Sequence, residues 1–335
     1  MGLRIRPFES KDYEAVVEIG NRLFPEYPDT VDEVRYQDEH RDPKCKFQRF
    51  VAELGGRVVG HARYDQSSAM YHPQKFEIGV FVDPEHQGRG IGKALYEHLL
   101  EALAPFDPIK LFSFAREDYE RSVRFLCDRG FTEAMRSWES RLDVQSFDFA
   151  PYEGAIERVE AQGIRIVSLK ELMDDPECPR KLFELERDLL KDVPFPDRYT
   201  PEALDFETFH KRTFENPDFL PEAYLIALDG ERYVGTSALW KSQAAPRELY
   251  TGLTGVRREH RRKGIALALK LKGIAFAQAH GYRTIKTWNE SNNRVMLSIN
   301  ERLGFVKQPA WITFAKVLKP EGGSPGAEDA ARAGA

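Results

Sequence analysis

The stretch Val82-Asp83-Pro84-Glu85-His86-Gln87-Gly88-Arg89-Gly90-Ile91-Gly92 returns in altered form as Val256-Arg257-Arg258-Glu259-His260-Arg261-Arg262-Lys263-Gly264-Ile265-Ala266. Strand-like residues precede each stretch, KFEIGVF before the first and ELYTGLTG before the second. A helical pattern follows; after the first, Ile91, Leu95, Leu99 and Leu103 recur every four residues and define a buried stripe. Val82, Gln87, Gly90, Gly92, Gly130 and Phe131 pair with Val256, Arg261, Gly264, Ala266, Gly304 and Phe305, every pair 174 residues apart. Chance can align one glycine loop with another, but rarely also preserves the distance to a Gly-Phe pair. The chain therefore contains an internal repeat.

Around these stretches the element order also runs twice. LRIRPF reads as a strand and DYEAVVEIGNRLF as an amphipathic helix with Asp12 as its cap, and FQRFVAEL and RVVGHARY form a hairpin around Gly55-Gly56. KLFSFA is a short strand, a helix ends at CDRGF, and SWESRLDV is a last strand. The order restarts with the strand IRIVSL and the helices RKLFELERDLL and PEALDFETFHKRTF, then a hairpin turning at Asp229-Gly230. The strand TIKTW, the helix NNRVMLSINERLGF and the strand WITFAKVL close it. This pattern predicts an α/β class with a mixed sheet in two tandem units, 1–150 and 160–319. The boundary falls in the aperiodic residues 143–163, and the apolar-poor tail 320–335 is expected to be disordered.

Bulk properties bound the function. The 335 residues suffice for two cores, and 41% hydrophobic with 31% charged residues is ordinary for a globular protein. A net charge of −5 gives no overall basic character toward nucleic acid or anionic membrane. No stretch approaches the ~18 apolar residues of a membrane span, and MGLRIRPFES lacks a signal peptide's apolar core. Cys45, Cys127 and Cys178 are scattered and fit reduced thiols, so a cytoplasmic location is expected. The eight histidines show no ligand spacing, and no metal is expected.

Each glycine loop joins a strand to a helix start, where backbone N–H groups lack internal partners and carry the positive end of the helix dipole. Small residues let a polyanion approach those donors, which makes a pyrophosphate seat of Gln87, Gly88, Arg89, Gly90, Ile91 and Gly92. Arg261, Arg262, Lys263, Gly264, Ile265 and Ala266 make the second, with more basic charge at its rim. A P-loop would need a Lys-Ser/Thr ending that neither loop has, and a Rossmann fingerprint would need glycine where Lys93 stands. A tight turn with solvated basic residues is the plain alternative.

Both copies resemble the GNAT (GCN5-related N-acetyltransferase) signature [RQ]xxGx[GA], with its valine lead-in and distal N…GF segment, over Leu3 to Leu318. The tandem arrangement resembles the mycothiol-synthase-like branch. The resemblance implies acetyl-CoA as co-substrate. Its pantetheine arm would enter where the strand before the loop splays from the next strand, with the acetyl carbonyl on the backbone N–H of Val82 or Val256. It further implies a base at Glu77, whose counterpart by sequence offset is Thr251, with Glu248 nearby. The family's usual tyrosine acid is missing: Leu126 and Asn300 hold its positions, so Tyr250 or water is left to protonate the thiolate. Asn289 and Asn293, where the first unit has Ala115 and Tyr119, would hydrogen-bond the coenzyme arm.

The asparagines point to the second unit as the catalyst and the first as partly degenerate; Glu77 and the richer first glycine loop point the other way. Trp240, Trp288 and Trp311 read as core or cleft wall. The function expected is acetyl transfer to the primary amine of a small molecule by direct attack in a ternary complex. A non-catalytic acyl-CoA-binding regulator and a protein N-acetyltransferase are the alternatives. Acceptor contacts are expected between the first strands of the second unit, at Asp192, Asp197 and Tyr199.

Overall fold

The computed structural model describes residues 2–197 and 205–321. Tyr199 and residues 322–335 of the tail lie outside the described residues. The first unit runs β1 (Arg4–Pro7), α1 (Tyr13–Leu23), α2 (Val31–Glu39), β2 (Gln48–Leu54), β3 (Arg57–Asp65), β4 (Lys75–Val82), α3 (Ile91–Leu103), β5 (Lys110–Arg116), α4 (Glu120–Cys127) and β6 (Thr132–Asp143). The second runs α5 (Ala155–Glu160), β7 (Ile164–Ser168), α6 (Cys178–Leu189), α7 (Phe206–Phe214), β8 (Tyr224–Asp229), β9 (Arg232–Trp240) and β10 (Glu248–Val256). It continues through α8 (Ile265–Ala279), β11 (Thr284–Glu290), α9 (Arg294–Arg302), β12 (Val306–Lys307) and β13 (Trp311–Val317). The starts of α3 and α8, of β5 and β11, and of α4 and α9 all keep the offset of 174.

Among the described residues the strands form one sheet in the order β1-β2-β3-β4-β5-β13-β6-β11-β10-β9-β8-β7, with β12 beside β6. The units exchange their last strands. β13, from the end of the second unit, pairs antiparallel with β5 over seven residues. The half of β6 from Ser137 to Asp143 leaves its own unit and pairs with β11. Packing explains the exchange. Ile312 and Phe314 of β13 enter the first core with Leu95, Leu99 and Phe131. Leu142 of β6 enters the second with Leu271, Ile274 and Phe305. Burial of a leucine- or phenylalanine-sized side chain is worth about 1.5–3 kcal/mol, so each exchanged strand is anchored by the other unit's interior.

Two sequence expectations change. Asp12 precedes α1 but does not cap it with its side chain; the carboxylate instead pairs with Arg6 at 2.7 Å and accepts the Glu9 N–H. The aperiodic boundary contains α5, whose Val159 packs with Ile265 and Ala268, so this helix belongs to the second core.

Candidate active site

In both units the strand before the glycine loop separates from its parallel neighbour. β4 pairs with β5 only from Lys75 to Glu77, although the two strands run on to Val82 and Arg116. β10 pairs with β11 only from Glu248 to Tyr250. Each unit thus has a fork, open toward the loop, whose far side ends at Val82 or Val256. Those valines lie opposite Gly60 and Gly235. A Cβ on Gly60 would stand 2.8 Å from the Phe81 carbonyl oxygen, so the close approach of the strands there requires glycine, and one on Gly235 would stand 3.1 Å from that of Gly255, a tight contact.

The loops are near copies. Gly90 and Gly264 cap their helices at φ +80° and +84°, a conformation natural to glycine. The first helical hydrogen bonds are Ala94 N–H to Gly90 O and Ala268 N–H to Gly264 O, both 3.0 Å. The N–H groups of Ile91, Gly92, Lys93 and of Ile265, Ala266, Leu267 therefore precede their ladders, as an anion seat requires. Ile91 and Ile265 are buried and anchor the helix starts. The Gln87 side-chain amide donates to Val82 O at 3.1 Å, and Arg261 Nε donates to Val256 O at 3.0 Å, so different side chains make the same brace. Gly88 at φ +77° is matched by Arg262 at φ +63°. Arg89, Arg262 and Lys263 are exposed at the rims. Asp192 pairs with both Arg258 and Arg261, and those guanidiniums hold its carboxyl down at about 2. The loops fit a polyanionic coenzyme, with Asp192 as an internal competitor at the second.

Register corrects one assignment. β10 carries an extra residue relative to β9 between Thr251 and Thr254; β4 pairs with β3 without interruption. Such a bulge re-aims the residues before it. Opposite β5, Glu77 faces Phe112, and opposite β11, Tyr250 faces Lys286. The counterpart of Glu77 in space is thus Tyr250, not Thr251. Burial first, then Glu248, pushes the Tyr250 hydroxyl up, so it is a protonated group at neutral pH. Its ring stacks parallel on Trp288, centroids 5.8 Å apart. Glu248 pairs with the buried Lys286 at 2.6 Å. Glu77 faces a cavity of about 730 Å³ between the units, lined also by Arg63, Asp65, Glu186 and Trp240. Burial, aided by Asp65, raises its carboxyl to about 7.

Asn289 accepts from Asn300 Nδ2 at 2.6 Å, and Asn293 accepts the Met296 N–H as the cap of α9. Asn300, at the position of the missing tyrosine, is buried. Asp192 stands at the second loop, as above. Asp197 pairs with Lys75 and Lys110, at the base of the first fork. Trp240 walls the larger cavity, and Trp288 and Trp311 wall a second one of about 430 Å³. Sequence reasoning missed Lys286, Tyr27 and Asp29 around these walls. Lys286 lies on a strand whose alternation is clear, but its partner Glu248 is distant in sequence; the other two sit on a connection without periodicity.

Two forks, each ending in a glycine loop that opens a helix, give each unit an anion seat beside a gap in the sheet. The signature of the Acetyltransferase (GNAT) family matches residues 13–131 and again 182–305, and the chain belongs to that family. It is 24% identical over 265 residues to a mycothiol acetyltransferase of Streptomyces scabiei (strain 87.22), spanning 79% of this chain and 78% of the relative. The fold is similar to that of a tandem GNAT protein from the clavulanic acid biosynthesis pathway, with TM-score 0.73, 19% identity, and 96% and 100% of the two chains covered. It is also similar to a GCN5-related N-acetyltransferase from Sphaerobacter thermophilus, with TM-score 0.69, 17% identity, and 96% and 98% covered. Among the described residues no helix is long and apolar enough to cross a membrane.

Proposed function

We propose that the protein transfers the acetyl group of acetyl-CoA to the primary amine of a small molecule, by direct attack in a ternary complex. The observation that carries this is the fork: it is the gap through which a thioester seated by the loop on the α8 side meets an acceptor on the opposite face. Family membership and the acetyltransferase named among the relatives support acetyl as the group moved. The loop residues from Arg261 to Ala266 would hold the pyrophosphate, Val256 N–H the acetyl carbonyl, and Asn289 and Asn293 the arm. In this reading Glu248, oriented by Lys286, takes the amine proton through water. Tyr250, protonated and at the fork, gives one to the departing thiolate. The C–N bond forms as the C–S bond breaks, and amide and free coenzyme A leave.

One observation favours catalysis in the first unit as well: Glu77, with a carboxyl at about 7, stands at its fork before an open cavity. That is the poise of a general base. The assay is thiol release with acetyl-CoA over a panel of small amines. Catalysis in the second fork predicts that Tyr250→Phe and Glu248→Gln each lower turnover about 100-fold while Glu77→Gln stays within about twofold. The reverse pattern assigns the chemistry to the first fork, and no turnover over the panel contradicts the proposal.

A further inference from the structure

The 430 Å³ cavity lies on the face of the sheet opposite α3 and α8, between the two forks. Its walls are Phe24, Tyr27, Phe114, Trp288 and Trp311, and its one charged lining group is Asp29. Phe114 and Trp288 occupy the same offset in the two units, each just beyond the last paired residues of its fork. The cavity therefore meets both forks. Phe114 is 47% exposed although it stands on an internal strand of the sheet, and it lines this cavity.

The charges around Tyr27 on this face are paired. Arg116 pairs with Asp118 at 2.7 Å, Arg141 with Glu139 at 2.6 Å and Lys286 with Glu248 at 2.6 Å. Glu26 pairs with both arginines. Tyr27 donates its hydroxyl to Glu139. Asp29 is different: its carboxylate makes no hydrogen bond or ion pair among the described residues, while its backbone is clamped on both sides by Asn21, at 2.9 Å each. The residue is held in place and its charge left unused. Asp29 stands exposed at the rim of the cavity; the loss of part of its hydration first, then Glu33, with Arg63 opposing and Asp218 adding, raises its carboxyl to about 6, so at pH 7 most of it is ionised.

An ammonium is attracted to the faces of aromatic rings and to an unpaired carboxylate. We propose that this cavity is an aromatic cage for a small organic ammonium, anchored by Asp29 of the first unit and walled by Trp288 and Trp311 of the second. It would present one amine to either fork. That its occupant is the acetyl acceptor rests on the function proposed above; that it binds a cation does not. The site is complete only when both units are present, so the acceptor chamber belongs to the pair of units.

The test uses the whole chain without acetyl-CoA, so that failure of coenzyme binding leaves it standing. Choline and its uncharged isostere 3,3-dimethylbutan-1-ol are titrated against tryptophan fluorescence and by calorimetry. Choline is expected to bind saturably and at least about fivefold more tightly than the alcohol. Asp29→Asn, whose backbone clamp is untouched, is expected to weaken choline about tenfold and leave the alcohol unchanged. Trp288→Leu is expected to weaken both. No saturable response to choline, equal affinity for the two probes, or an Asp29→Asn variant that binds choline as well as the parent each overturns the proposal.

Discussion

Arg262 holds a left-handed φ of +63° where the first loop has Gly88. A residue with a Cβ loses roughly 1 kcal/mol there relative to glycine. The arginine also brings charge to the rim of the loop. Arg262→Gly is therefore expected to raise unfolding stability by about 1 kcal/mol in denaturant, and to weaken coenzyme A binding. A variant that loses stability would contradict the strained assignment. Glu186 shows burial acting on a charge. It accepts the Tyr224 hydroxyl, and desolvation raises its carboxyl from 4.5 to about 7. Between about pH 4.5 and 7 the folded chain keeps a proton that the unfolded chain releases. This contribution is thus full below the lower value and lost as pH rises through the upper one, on the order of 3 kcal/mol in all. Glu186→Gln is expected to shrink the stability drop between pH 5 and pH 8, read from denaturation midpoints; an unchanged drop would show that the carboxyl is not perturbed.

At the scale of elements, much was legible because local pattern and repeat agreed. The leucines at 95, 99 and 103 mark α3, the turn at Asp229-Gly230 lies between β8 and β9, and the offset of 174 carries over to α4 and α9. The bulge in β10 was not legible. One extra residue leaves the composition of a strand intact, yet it decides whether Tyr250 or Thr251 occupies the place of Glu77. Nor was the state of the side chains there. Glu248 and Tyr250 are visible as residue types, but the Lys286 ion pair and the Trp288 stack come from a neighbouring strand across the fork. The short α2 has a capping box at Thr30 and Glu33 that offered a signal, but it lacks an apolar stripe.

Across the whole molecule, the exchange of β13 and β6 joins the units more firmly than a linker would. Alternation identifies a strand and its faces but not its partner, and so the sequence reading placed SWESRLDV and WITFAKVL each in its own unit. With β13 removed, β5 would become an open edge above a core missing Ile312 and Phe314; such edges invite aggregation. Residues 1–150 and 160–319 produced separately are expected to be insoluble or unfolded by circular dichroism, and to recover structure when produced together. Full-length chain is expected to unfold in one transition. A stable, monomeric first half would contradict the exchange.

Everything functional depends on the loops that open α3 and α8 receiving the coenzyme's diphosphate. Calorimetric titration of the whole chain with acetyl-CoA tests this most directly, with Gly264→Val, which obstructs the loop's left-handed cap, as the control. The account predicts saturable binding that the substitution weakens by at least about tenfold. An absence of saturable heat, or equal affinity in the parent and the variant with the first loop also altered by Gly90→Val, would contradict it.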